Sequence, residues 1–132
     1  VLQKYGVDMT LTGHVHNYQR TLPLTFEPAP DARSGLDARG RGPVKGVLHL
    51  DSTFDGERVT KAHGIIHIVT GAGGGELYDT AQGGQRETWQ PFTRTFVSDR
   101  HSCSMLDIQG HRLEFRQIDQ EGHVIDRFVL TK

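Results

Sequence analysis

The sequence predicts an α/β fold that is mostly β within this chain and closes on an antiparallel meander. Three observations carry this. HSCSMLDI, HRLEFRQI and HVIDRFVLTK are strand-like segments separated by Gln109-Gly110 and by Asp119-Gln120-Glu121-Gly122, both good hairpin turns. GIIHIVT is an apolar, β-branched run that ends in GAGGG, as a buried strand entering a glycine turn does. VLQKYG has the form of a last helical turn closed by Gly6, and after it Val7, Met9 and Leu11 alternate with polar residues at the period of two that marks a strand.

The remaining elements follow in order. The first strand stops at Gly13, and His14-Val15-His16 come at once. Residues 24–63 form a long excursion that, with Pro23 just before it, holds four of the five prolines (Pro23, Pro28, Pro30, Pro43) and has an Arg/Gly-rich centre, SGLDARGRGP. Within it VLHLD is the one candidate strand. A second loop, QGGQRETWQP, precedes the meander, and Trp89 in it suits the core or a pocket lip equally well.

Bulk composition narrows the function classes. The 132 residues fit one domain, and 35% hydrophobic residues suffice for a packed core. Lys and Arg number 15 against 16 Asp and Glu, with no block of one sign, so no nucleic-acid surface is expected. No apolar run reaches membrane-spanning length. The one cysteine, Cys103, excludes an internal disulfide; it lies in an apolar strand and is expected to be buried and inert.

Eight histidines are present, and two of them form the central feature. In extended backbone, residues i and i+2 point to one face, so His14 and His16 would reach one site together. Gly13 lets the chain turn and other groups approach. The C-terminal end of a strand is where α/β sheets place ligand sites. Imidazole suits several transition metals, so the pair does not name its ion. Taken alone, the tripeptide is as compatible with two ordinary turn histidines.

Its surroundings are more specific. YGVDMTLTGHVHNYQRT resembles the last motif of the calcineurin-like metallophosphoesterases and, within them, the purple acid phosphatases. These share Val-Asp, an apolar strand, Gly-His-x-His and then Tyr-x-Arg. Tyr18 and Arg20 match, while Gln19 stands where the family commonly has glutamate. HGIIHIVTGAGG resembles the strand and glycine turn that follow, VLHLDSTFDG resembles bacterial members, and RLEFRQIDQEGHVIDRF resembles the final hairpin. The resemblance covers nearly all of the chain outside the Pro/Arg/Gly-rich excursion.

The resemblance implies that residues 1–132 are the C-terminal part of one catalytic domain, a four-layer β-sandwich flanked by helices. It implies a phosphatase or phosphoesterase with two metal ions, iron with zinc, manganese or a second iron, to which His14 and His16 each supply one ligand. Ions of such pairs sit about 3.5–4 Å apart and clamp a phosphate ester while activating water. The family's earlier motifs (Asp-x-His, Gly-Asp and Gly-Asn-His) are absent, as is its proton donor. Asp99-Arg100-His101 has the letters of the first motif in the wrong place in the order. This chain by itself is therefore expected to be inactive and to hold metal weakly if at all. Its implied partners are the missing N-terminal half of the domain and a phosphate-ester substrate. With that half removed, apolar surface and sheet edge should be exposed, and self-association is expected. Export to the periplasm or outside the cell is implied by resemblance alone.

Asn17, Tyr18 and Arg20 follow the histidines and are candidate substrate-binding residues, with packing as the alternative for the first two and a structural salt bridge for Arg20. Gly71 to Gly75 suit a tight turn beside the site better than a phosphate cradle, because no helix pattern follows. His67 suits a satisfied core position, and Asp51 and Asp55 flank a turn where calcium binding is a remote alternative. Two readings of another kind stay open: a non-catalytic β-rich binding module with structural histidines, and a degenerate phosphoesterase.

Overall fold

A computed structural model describes residues 1–132. Nine strands form three sheets: β1 (Met9–Thr12), β2 (Tyr18–Thr21), β3 (Leu24–Pro28), β4 (Gly46–Leu50), β5 (Ile66–Thr70), β6 (Thr93–Val97), β7 (Ser102–Gln109), β8 (Arg112–Asp119) and β9 (Val124–Thr131). The chain is mostly β and ends in the antiparallel meander β7-β8-β9. Its helical content is three short 3-10 turns, Gln3–Tyr5, Gln82–Gly84 and Arg86–Thr88. The first is closed by Gly6, whose left-handed backbone (φ 65°) lets its N–H return to the Gln3 carbonyl.

The first sheet has the order β1-β5-β2-β6 and is mixed. β1 pairs parallel with β5, Met9 opposite Ile66 and Leu11 opposite Ile68. β2 then runs antiparallel to β5, with Tyr18 opposite Thr70. Because β5 lies between β1 and β2, residues 13–17 must cross over the C-terminal end of β5. That crossing places the two histidines at the carboxyl end of a parallel strand pair.

The sheets face one another through Tyr18, Ile66 and Ile68 on one side and Phe115, Phe128 and Leu130 on the other, with Phe54 beside them. Phe115 and Phe128 stack with centroids 4.9 Å apart, Tyr18 lies 6.3 Å from Phe115, and Phe54 meets Phe128 edge-on at 6.1 Å. Each such ring, fully buried, contributes about 1.5–3 kcal/mol of transfer free energy. Alternation in β8 sends Phe115, Gln117 and Asp119 inward. Gln117 is fully buried with a partner at each end of its amide: Nε2 donates to Ser102 Oγ at 2.8 Å, and Ser104 Oγ donates to its carbonyl at 2.6 Å. Ser104 also bonds Thr70 Oγ1 at 2.7 Å, which ties β7 to the end of β5.

One expectation is extended and one corrected. Residues 24–63 are mainly loop and contain the expected strand at VLHLD, now β4, but they also contain β3, with which β4 forms a hairpin in register from Leu24–Leu50 to Pro28–Gly46. Pro23 and Pro28 bracket β3 and hid its period-two pattern, and a proline at a strand end disturbs no interior ladder bond. Cys103 is exposed, not buried. β7 is an outer strand whose alternation turns Ser102 inward and leaves Cys103 and Met105 on a face that no other element covers.

Apolar surface is exposed around β1 and the meander. Leu11, Met105, Leu106 and Ile108 are exposed, and β1 is the outermost strand of its sheet. A groove of ≈ 450 Å³ runs between them, walled by Val7, Met9, Leu106, Ile108, Leu113 and Leu130. No helix is long and apolar enough to cross a membrane.

Candidate metal-ligand site

The GHVHN crossing is a bend rather than a strand. His14 takes a left-handed backbone (φ 74°), so the extended-chain argument for two imidazoles on one face does not describe how they are presented. The turn is held by Val15 N–H to Gly13 O at 3.0 Å and Asn17 N–H to Val15 O at 2.8 Å. Its floor is Gly71, whose N–H donates to Asn17 O at 3.1 Å. A Cβ at Gly71 would overlap the Val15 carbonyl, so only glycine fits where the crossing rides over β5. The glycine turn therefore serves close packing beside the histidines.

The two imidazoles differ in how they are held. His14 is exposed and its ring makes no hydrogen bond or ion pair. His16 is half-buried and wired in. Its Nδ1 lies 2.6 Å from the Glu76 carbonyl, and its ring stacks on Tyr78 with centroids 4.3 Å apart and planes 16° apart. A carbonyl only accepts, so Nδ1 carries the proton and Nε2 keeps a free lone pair. That is the tautomer and the outer contact of a metal-ligating histidine. Two imidazoles with free ring nitrogens suit a borderline transition metal such as zinc or iron, and they make up only part of a ligand set.

A non-glycine residue at φ 74° is strained, and His14 has no compensating contact. His14→Gly should therefore stabilise the fold by roughly 0.5–1 kcal/mol, left-handed strain relieved less the added unfolded-state entropy. The check is a rise in the urea midpoint at unchanged slope; a lower midpoint would mean that the His14 ring supports the fold.

The other candidates are placed as follows. Asn17, Tyr18 and Arg20 are 3%, 0% and 6% exposed. Arg20 forms a two-pronged salt bridge with Asp126, Nε to Oδ2 at 2.6 Å and Nη2 to Oδ1 at 2.8 Å, and Tyr18 donates its hydroxyl to the same carboxylate at 2.6 Å. The Arg20 guanidinium also lies 4.8 Å over the Phe128 ring. Burial would raise the Asp126 carboxyl, but the hydrogen bonds and charge of Arg20 outweigh it and hold it below the usual range. Burial and then Asp126 push the Tyr18 hydroxyl well above its ordinary value. Asn17 Oδ1 accepts from Gln19 Nε2 at 3.0 Å.

His67 bonds Thr10 Oγ1 at 2.8 Å, and burial lowers its pKa. Asp51 accepts from the N–H groups of Thr53 and His63, and Asp55 from those of Glu57, Arg58 and Val59, so both close turns. Trp89 is half-buried and donates to Gln82 O at 3.1 Å. Asp99 pairs with Arg100, and His101 reaches the Gly75 carbonyl at 3.0 Å.

Sequence reasoning missed one cluster. The ligand atoms of Asp119, Glu121 and His123 lie within 4.8 Å of one another at the β8–β9 turn. Asp119 Oδ1 accepts from the N–H groups of Glu121 at 3.0 Å and His123 at 2.8 Å, which accounts for it as a turn acceptor. The Asp-x-x-Gly turn signal was its trace in the sequence.

Over 130 residues, 98% of the chain, the sequence is 27% identical to "Probable inactive purple acid phosphatase 1" of Arabidopsis thaliana. The chain is distantly related to that protein. It spans 17% of that relative's length. No protein-family model matches the chain, and no solved structure does.

Proposed function

We propose that this chain supplies His14 and His16 to the dinuclear metal centre of a phosphate-ester hydrolase whose other ligands come from the rest of the protein. The observation that carries this is His16, locked with Nδ1 on the Glu76 carbonyl and Nε2 free, beside an unpartnered His14 at the carboxyl end of β1 and β5. The distant relation to a protein named as a probable inactive purple acid phosphatase supports the lineage of the fold and not the turnover.

When bound, the metals would polarise the phosphoryl oxygen and lower the pKa of a bound water. The chain's own residues do the rest of its share. His16 presents a fixed lone pair, His14 a freely rotating one, and Gly71 keeps the crossing low against β5. In this reading Tyr18 and Arg20 do not touch substrate; they anchor the root of β2 to β9 through Asp126. The open side of β1 and the apolar groove are where the remainder of the same protein would pack.

The test is metal content and aryl-phosphate hydrolysis by the full-length protein. Two bound metals per chain with turnover are expected. A folded, metal-free, inactive protein would transfer the assignment to a non-catalytic or degenerate relative.

A further inference from the structure

We propose that the loop Gly75–Tyr78 positions His16, with Gly75 and Tyr78 as the residues that set its ring; this rests on His16 being a metal ligand. The loop touches the imidazole on three sides. Glu76 takes the Nδ1 proton on its carbonyl at 2.6 Å. Tyr78 covers a ring face at 4.3 Å, and its own N–H donates to the His16 carbonyl at 3.1 Å, so one residue holds both backbone and ring. Gly75 fills the remaining side by having no side chain. A Cβ there would sit 2.6 Å from His16 Cε1 and 2.9 Å from Nδ1, closer than real contacts allow, and its nearest neighbours are all atoms of that ring.

The loop is itself anchored away from the imidazole. His101 Nε2 bonds the Gly75 carbonyl at 3.0 Å, and Ser102 N–H bonds Ala72 O at 3.1 Å. The start of the meander thus holds the glycine loop, and the loop holds His16. These contacts favour one rotation about the Cβ–Cγ bond and the Nδ1-protonated tautomer, so Nε2 is aimed before any ion arrives. His14 has no such support.

The experiment uses the full-length protein and zinc as the probe, titrated against a chromophoric chelator. Gly75→Ala and Tyr78→Ala should weaken zinc binding about 10–100-fold, the usual consequence of removing an outer contact of a ligand. Tyr78→Phe keeps the stacking ring and should stay within about threefold of the parent. A purely structural role would lower the metal-free melting temperature of the two alanine variants and leave affinity intact. A second readout needs no metal. Nitrogen-15 histidine NMR of the metal-free protein should show His16 protonated at Nδ1 in the parent and in Tyr78→Phe, and mixed tautomers in Gly75→Ala. If the parent shows the fixed tautomer but binds no zinc, the loop orients His16 and the metal assignment fails. Unchanged zinc affinity in both alanine variants, or an intact Nδ1 tautomer in Gly75→Ala, overturns the proposal.

Discussion

Asp126→Asn is expected to destabilise the chain by about 3–5 kcal/mol, the cost of stranding one member of a buried ion pair. The side chains of Arg20 and Asp126 are 7% and 8% exposed, and two hydrogen bonds under 3 Å join them. The asparagine keeps the shape and can still accept from Tyr18, but it leaves the guanidinium charge uncompensated against Phe128. The pair spans β2 and β9, so its loss loosens the joint between the two large sheets beside the histidine bend. The pH dependence has a definite sign. Asp126 has a folded pKa below its unfolded value, which is about 3.9. Its stabilisation is therefore fully present above the unfolded value and is lost as pH falls through the lower folded value. Acid unfolding of the parent should steepen below about pH 4, and that component should vanish in Asp126→Asn. Urea unfolding across pH 2–7 checks both halves. A loss under about 1 kcal/mol would show that Arg20 escapes to solvent when released.

The fold was legible wherever one local signal decided one element. Leu113 and Phe115 alternate with Glu114 and Arg116, and Gly110 and Gly122 sit where positive φ is needed, so the strands and turns of the meander could be read from local signals. The glycine turn at Gly71 was legible as packing because no helix pattern followed it. Other features depend on partners far along the chain. Nothing near β3 says that Leu24–Pro28 will pair with Gly46–Leu50, and the flanking prolines argue against a strand. Cys103 looked buried because its segment is apolar; only the position of β7 at the rim of the meander reveals that its outer face is bare. The site divides in the same way. Gly-His-x-His marks the two imidazoles, yet the orienting contacts to His16 come from Glu76 and Tyr78, about sixty residues on. The Arg20 salt bridge was foreseen as a type, while its partner Asp126 lies 106 positions away and could not be named from spacing.

His14→Ala and His16→Ala should each reduce aryl-phosphate turnover by the full-length protein by on the order of 10³-fold, because a metal's charge stabilisation is worth several kcal/mol and each 1.4 kcal/mol is tenfold in rate. The two variants should match in lost activity and differ in metal-free stability. His14 is exposed and unpartnered, so truncating it removes a ligand and no fold contact; metal-free stability should not fall. His16→Ala also discards the bond to Glu76 and the stack on Tyr78, which together contribute about 1–2 kcal/mol. It should therefore unfold at lower urea even with no metal present. Comparing turnover with metal-free stability separates chemistry from folding in a way that activity alone does not. Turnover within tenfold of the parent in His14→Ala would remove that residue from the ligand set and leave His16 as the chain's one contribution. Equal losses of turnover with unequal losses of stability are what two ligands on one bend, one braced and one free, require.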